Sequence, residues 1–95
     1  MGVDAVKVLY DAGTEVRFAE LRRRMPGISQ KMLSQTLQGL TADGIIARRV
    51  ADTVPPAVHY GLTPLGRSLA GPLETLRTWA EEHMAEIDDH REGVR

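Results

Sequence analysis

Apolar residues recur at intervals of three and four along much of this 95-residue chain. Such spacing predicts α-helices that each bury one face. The first stripe predicts a helix at about residues 3–12, which Gly13 ends. The next predicts a short helix at about residues 19–25, which the turn dipeptide Pro26-Gly27 stops.

The stretch GISQKMLSQTLQGLTADGI, residues 27–45, predicts a third helix. Ser29 is a favourable N-cap residue, and the helix should run to about residue 43 before Gly44 ends it. Because the turn before Ser29 is so short, the second and third helices must cross at a steep angle. We therefore predict a helix-turn-helix at about residues 19–43.

The remaining segments predict two strands and one long helix. IIARRVA and VHYGL are β-branched and partly alternating, and the Pro-rich DTVPPA separates them, so a two-stranded wing is expected at about residues 45–62. A small edge strand is expected at residues 15–18. Thr63 and Pro64 begin a final helix that continues to about residue 90, which is longer than so small a body can cover.

Together these elements predict an α+β fold. It is a winged helix-turn-helix with a three-helix core, a two-stranded β wing and a long C-terminal dimerisation helix. Residues 1–95 should form a single winged-helix DNA-binding domain, because the length suits one core and no repeat is present.

Charge is distributed unevenly although the net charge is only −1. Residues 17–49 carry a net +5 and residues 63–95 a net −3, which suggests that only the first segment faces a polyanion. No cysteine is present, which excludes disulfides, thiolate nucleophiles and thiol sensing within this chain. The apolar runs are short and the N-terminus does not look like a signal peptide, so a cytoplasmic protein without a membrane span is expected.

The polar face of the third helix is rich in amides and hydroxyls and has one full charge. These groups can pair with base edges or hold phosphates. The alternative is a face that merely keeps the helix soluble. The predicted DNA-contacting residues of this helix are Ser29, Gln30, Lys31, Ser34, Gln35 and Gln38.

Arginines outside this helix are further candidates for DNA contact. Three consecutive arginines, Arg22, Arg23 and Arg24, point in different directions around the second helix, and Arg23 is the one predicted to contact DNA. The alternative is that these arginines pair with a neighbouring acid. Arg48 and Arg49 lie on alternating faces of the wing, so one should reach a phosphate or the minor groove. An ordinary charged edge strand explains them equally well.

The stripe on the last helix predicts a dimer seam, joined by the first helix. The alternative is that this stripe lines a ligand pocket, and binding of a small-molecule effector is left open. The predicted interface residues are Val6, Leu9, Leu69, Leu73, Leu76, Trp79, Ala80, His83 and Ile87. The three histidines lack the partners of a metal or catalytic site, so no metal, no cofactor and no enzymatic activity are predicted.

RFAELRRRMPGISQKMLSQTLQGLTADGII, VPPAVHYGLTPLGRSL and LETLRTWAEEH resemble the HxlR-type transcriptional regulators, relatives of the MarR group, over roughly residues 16–83. The resemblance implies a dimeric bacterial transcription factor whose third helix enters the major groove and whose terminal helices form the dimer. The cysteine that the family often has near its N-terminus is absent, and the segment before the first helix is short. A homodimer on a pseudo-palindromic operator in double-stranded DNA is expected; the alternative is a protein-interaction module that does not bind DNA.

Overall fold

The computed structural model describes residues 2–93, which form four helices and three strands. In chain order the elements are α1 (Gly2–Ala12), β1 (Val16–Arg17), α2 (Phe18–Arg23), α3 (Gln30–Ala42), β2 (Ile46–Ala51), β3 (Ala57–Leu62) and α4 (Pro64–Gly93). This order confirms the predicted α+β winged helix-turn-helix.

Two predicted boundaries were wrong by a few residues. α2 ends at Arg23 rather than at 25, because the residue before a proline is disfavoured in the α conformation. Met25 is nevertheless buried, so its place in the apolar stripe was predicted correctly. α4 continues to Gly93, three residues beyond the predicted end.

The wing belongs to a three-stranded antiparallel sheet in the order β1-β3-β2. Tyr60 at the centre of β3 pairs with Val16 of β1 on one side and with Arg48 of β2 on the other. Because paired residues point to the same face, Val16, Tyr60 and Arg48 share the face that is turned toward the helices. The next row, which contains Arg17, His59 and Arg49, shares the opposite face.

The core lies between α1, α2, α3 and the inner face of the sheet. Its largest fully buried side chains are those of Leu21, Leu33, Leu37 and Ile46, while Val6 is buried on the side of α1 that faces α4. Leu33 and Leu37 are one helical turn apart and anchor α3 to the body. Their burial decides which face of α3 is left for solvent or a partner.

α4 begins where the end of α3 meets the wing, and this junction is closely packed. The Thr63 hydroxyl lies 2.6 Å from the Gly44 carbonyl oxygen, to which it donates, and it accepts a hydrogen bond of 3.1 Å from the Gly66 amide. A Cβ atom at Gly66 would lie 2.1 Å from the carbonyl oxygen of Ile45. The sequence GLTPLG is thus a helix cap combined with a close backbone crossing.

The far half of α4 extends away from the body. A helix of 30 residues is about 45 Å long, and the molecule measures 57 × 27 × 21 Å. Its radius of gyration is 16.0 Å, whereas a compact chain of this length would have about 12 Å. A long segment of α4 is therefore not covered by any other element of residues 2–93.

Candidate nucleic-acid interface

One stripe of α3 points directly away from the core. Lys31, Gln35 and Gln38 follow one another at intervals of four and three, opposite Leu33 and Leu37, and all three side chains are exposed. α3 contains no acidic residue, so this stripe offers only amide groups and one cation. The arrangement suits a surface that approaches a polyanion and donates hydrogen bonds.

The start of α3 has a second polar flank, which faces the wing. Gln30 and Ser34 line a groove whose other wall includes Pro56 and Val58 of the wing. Ser29 is the N-cap of α3, and its hydroxyl accepts a hydrogen bond of 3.0 Å from the Met32 amide. The predicted N-cap is confirmed, while a DNA contact from Ser29 stays a prediction.

Arg48 lies in the same region, on the wing face turned toward α3. It lines a groove together with Ser34, Gln38 and Thr41. Within residues 2–93 no carboxylate lies within 4.0 Å of its guanidinium. The groove between α3 and the wing therefore contains a free positive charge beside polar groups.

Arg49 lies on the opposite face and is already occupied. Its Nη2 lies 2.8 Å from Glu15 Oε1, and its Nε lies 3.0 Å from both carboxylate oxygens of Glu15. The hydrogen bonds from Arg49 lower the pKa of Glu15. The guanidinium ties β2 to the segment before β1, and this pairing counts against the predicted DNA contact of Arg49, which stays untested.

The arginines of α2 divide in a similar way. Arg23 and Arg24 both bind Glu20, at 2.5 and 2.9 Å respectively, and these hydrogen bonds lower the pKa of Glu20. Arg22 forms no such ion pair in the described part of the chain, and it lines a surface groove that also contains Gln30. Arg23 borders the same groove, so its DNA contact stays a prediction, and Arg22 is added as a second candidate because its charge is not paired within residues 2–93.

Two of the predicted interface residues are used within the chain. Val6 and Leu9 are each only 2% exposed, so their side chains cannot meet a partner, and we remove them from the predicted interface. The exposed apolar residues of α1 are instead Val3 and Tyr10, which border a shallow cleft that Leu73 of α4 completes. The error arose because the apolar stripe of α1 has two sides, and only packing shows which one faces the core.

The other interface candidates remain accessible on α4. Leu76 is 61% exposed and Trp79 is 51% exposed, and the remaining candidates of this helix are partly covered. They are Leu69, Leu73, Ala80, His83 and Ile87. The rings of Trp79 and His83 stack with centroids 4.6 Å apart, and His83 Nδ1 lies 2.8 Å from the Trp79 carbonyl oxygen.

Two residues near the polar surface were missed by sequence reasoning. Met32 is half exposed, on the flank of α3 away from the wing. Its exposure could have been predicted, because residue 32 lies outside the helical stripe of Leu33 and Leu37. Thr41 lines the Arg48 groove, and its hydroxyl donates to the Leu37 carbonyl at 2.7 Å. The exposed side chain of Met32 is an apolar group of the kind that contacts the methyl group of thymine.

Residues 2–93 contain neither a metal-binding cluster nor a membrane-spanning helix. No group of three or more His, Asp or Glu side chains is arranged to hold a metal ion. No helix in this range is both long and apolar enough to cross a membrane.

Residues 5–88 match the family described as HxlR-like helix-turn-helix. Over 71 residues the chain is 49% identical to YtcD of Bacillus subtilis and 44% identical to YtfH of Escherichia coli, both named as uncharacterized HTH-type transcriptional regulators. Each alignment covers 75% of this chain and 56% of the relative, so the chain spans little more than half the length of these proteins. Their names agree with the prediction of a regulator rather than an enzyme.

Solved structures agree with the fold. The structure of ytfH from Salmonella typhimurium superposes with a TM-score of 0.81 at 41% identity, covering 96% of this chain and 80% of that chain. The reduced form of the transcriptional regulator YodB from B. subtilis gives a TM-score of 0.74 at 33% identity, covering 85% and 78% respectively. With a family match over nearly the whole described region, this chain belongs to the HxlR-like helix-turn-helix family.

Proposed function

We propose that this protein is a transcriptional regulator that binds double-stranded DNA sequence-specifically as a homodimer. The observation that carries the proposal is the outward stripe of α3, which presents Lys31, Gln35 and Gln38 without any acidic neighbour on the helix. The names of the relatives support it, since YtcD and YtfH are called transcriptional regulators. A cytoplasmic location follows from this role.

Base readout is assigned to the outward stripe. A glutamine can bond bidentately to the N6 and N7 positions of adenine, and a lysine can donate to O6 and N7 of guanine. Gln35 and Lys31 lie in the first half of α3, which is the half that contacts base edges when such a helix enters the major groove. Gln38 extends the same stripe by one turn.

Phosphate contacts are assigned to two grooves that border α3, one shared with the wing and the other shared with α2. When α3 lies in the major groove, the adjacent sugar-phosphate strand must pass along one of its flanks. Arg48 lies in one flanking groove and Arg22 in another, and neither is neutralised by an acid within residues 2–93. Each is therefore available to replace a counterion on the DNA.

Dimerisation is assigned to the exposed part of α4 with Val3 and Tyr10 of α1. Leu76 and Trp79 remain more than half exposed, on a helix that extends beyond its own body. A second copy related by a two-fold axis would cover them. It would also place two α3 helices on half-sites about 34 Å apart, or a multiple of that distance, so the operator should be pseudo-palindromic.

The first experiment selects genomic fragments with the purified protein and titrates the enriched duplex and a random duplex at two salt concentrations. Lys31→Ala and Gln35→Ala should weaken operator binding by about tenfold or more and random-duplex binding much less, because base contacts are lost. Arg91→Ala, near the far end of α4, is the control and should leave both affinities unchanged. Equal losses on both duplexes would contradict the base-reading assignment.

The same titration separates the main alternative, a winged helix that serves only to bind proteins. That module would enrich no fragment and would show no salt-dependent affinity for any duplex. An enriched inverted repeat would exclude it.

The dimer is tested with Leu76→Asp, which should give monomers by sedimentation and weak operator binding, because a charge would be buried at the seam. Thr78→Asp is the matched control, since residue 78 lies on the opposite face of the same helix. A Leu76→Asp protein that stayed dimeric would show that the interface lies elsewhere.

A further inference from the structure

The tip of the wing, residues 52–56 between β2 and β3, presents an apolar side chain entirely to solvent. Val54 has 102% of its reference area exposed, the largest value among the exposed large apolar residues of the described part of the chain. Pro55 and Pro56 follow it and are also exposed, and Val50 at the end of β2 is half exposed. Val54, Pro55 and Pro56 therefore form a short exposed apolar segment at the tip.

This tip is held in a defined shape. The Thr53 amide donates to the Ala51 carbonyl at 2.9 Å, and the Thr53 hydroxyl donates to the Pro55 carbonyl, also at 2.9 Å. The two prolines each restrict the backbone to a narrow range of φ. Little conformational freedom would be lost if Val54 docked against a partner.

The charge of the tip does not suit a phosphate. From residue 50 to residue 58 there is no lysine or arginine, and Asp52 is acidic. The nearest arginines, Arg48 and Arg49, lie within β2, and Arg49 is bound by Glu15 on the far face. An electrostatic contact between the tip and the DNA backbone is therefore not expected.

The position of the tip connects it to the proposed DNA surface. Pro56 and Val58 line the same groove as Gln30 and Ser34 of α3. The wing thus extends from the side of the molecule that α3 presents. With α3 in the major groove and a phosphate strand in this groove, the next feature of the duplex along the wing is the minor groove.

We propose that Val54, supported by Pro55, docks in the minor groove beside each half-site and recognises the groove by apolar contact rather than by charge. This inference rests on the proposed function. The minor groove is about 6 Å wide, and at G·C pairs the N2 amino group of guanine projects into it. An apolar side chain in contact with the floor would leave that amino group without a hydrogen-bond partner. Val54 should therefore favour flanking base pairs that lack this amino group.

The test uses the selected operator with three versions of the flanking pairs that hydroxyl-radical footprinting assigns to the wing. The flanks contain A·T, G·C or inosine·C, where inosine·C keeps the major-groove pattern of G·C but lacks the amino group. Wild-type protein should bind the A·T and inosine·C flanks alike and the G·C flank about five- to tenfold more weakly. In Val54→Ser the preference should shrink to less than twofold, and the salt slope should be unchanged because no charge is removed.

Leu65→Ser is the matched control, because Leu65 is another exposed apolar residue and lies at the start of α4 rather than in the wing. It should keep the wild-type preference among the three flanks. If wild-type protein binds the operator but Val54→Ser shows the same affinities, the tip does not contact the minor groove, although the proposed function stands. If wild-type protein binds no duplex, both the proposed function and this inference fail.

Discussion

Replacing Gly66 by alanine is expected to destabilise the fold, and the structure allows the effect to be estimated. The new Cβ atom would lie 2.1 Å from the Ile45 carbonyl oxygen and 3.0 Å from Leu62 Cδ2. The first distance is shorter than any real contact of this kind, and its partner is backbone. The start of α4 would therefore have to move by roughly 1 Å away from residue 45.

That movement would also disturb the helix cap. Thr63 lies within hydrogen-bonding distance of the Gly44 and Ile45 carbonyl groups and of the Gly66 amide, so its contacts lengthen together. Overpacking costs about 1–3 kcal/mol, and loss of an N-cap costs about 0.5–2 kcal/mol. A combined loss of about 2–4 kcal/mol would lower the Tm by roughly 10–25 °C for a domain of this size.

The assay is thermal and urea unfolding followed by circular dichroism, at several protein concentrations so that dimer dissociation is separated from unfolding. Gly39→Ala is the matched control, because Gly39 lies inside α3 and a Cβ there meets nothing within 4 Å. It should stabilise the protein by about 0.5–1 kcal/mol, as expected for Gly to Ala inside a helix. If both variants changed stability in the same direction and by similar amounts, the proposed close crossing at Gly66 would be refuted.

Two further predictions concern the charged groups. Arg48→Ala should reduce the slope of log affinity against log salt concentration by about one unit. Arg49→Ala should leave that slope unchanged, because Glu15 holds the Arg49 guanidinium on the other face of the sheet. Equal slopes for the two variants would contradict the assignment of the phosphate contact to Arg48. The lowered pKa of Glu15 means that its ionised form is favoured by folding, so this stabilisation is complete above the ordinary pKa and is lost as pH falls through the lowered value. Acid titration of unfolding should show this loss in wild type and not in Arg49→Ala, and the effect should be small because both groups are exposed.

Local patterns were sufficient to predict the elements of this fold. The stripe of Leu33 and Leu37 predicted α3 and its buried face, and Ser29 and Thr63 were correct as N-cap residues. The polar stripe of α3 could be predicted in the same way, because a helix with a known buried face has a known exposed one. These features depend on residues a few positions apart, and so the sequence contains them directly.

The contacts that only tertiary structure decided are those between residues far apart in the chain. Glu15 and Arg49 are separated by 34 positions, and nothing local shows that they pair. Val6 and Leu9 have the apolar character of an interface, but α1 packs that side into the core. The pairing of Glu20 with Arg23 and Arg24, by contrast, follows the local helical spacing of three and four residues and could have been predicted, whereas Arg22, two positions after Glu20, has no such partner within residues 2–93. Sequence determined which side chains were available, and packing determined which of them remain available to a partner, because a charge or an apolar surface that is satisfied within the fold contributes little to binding.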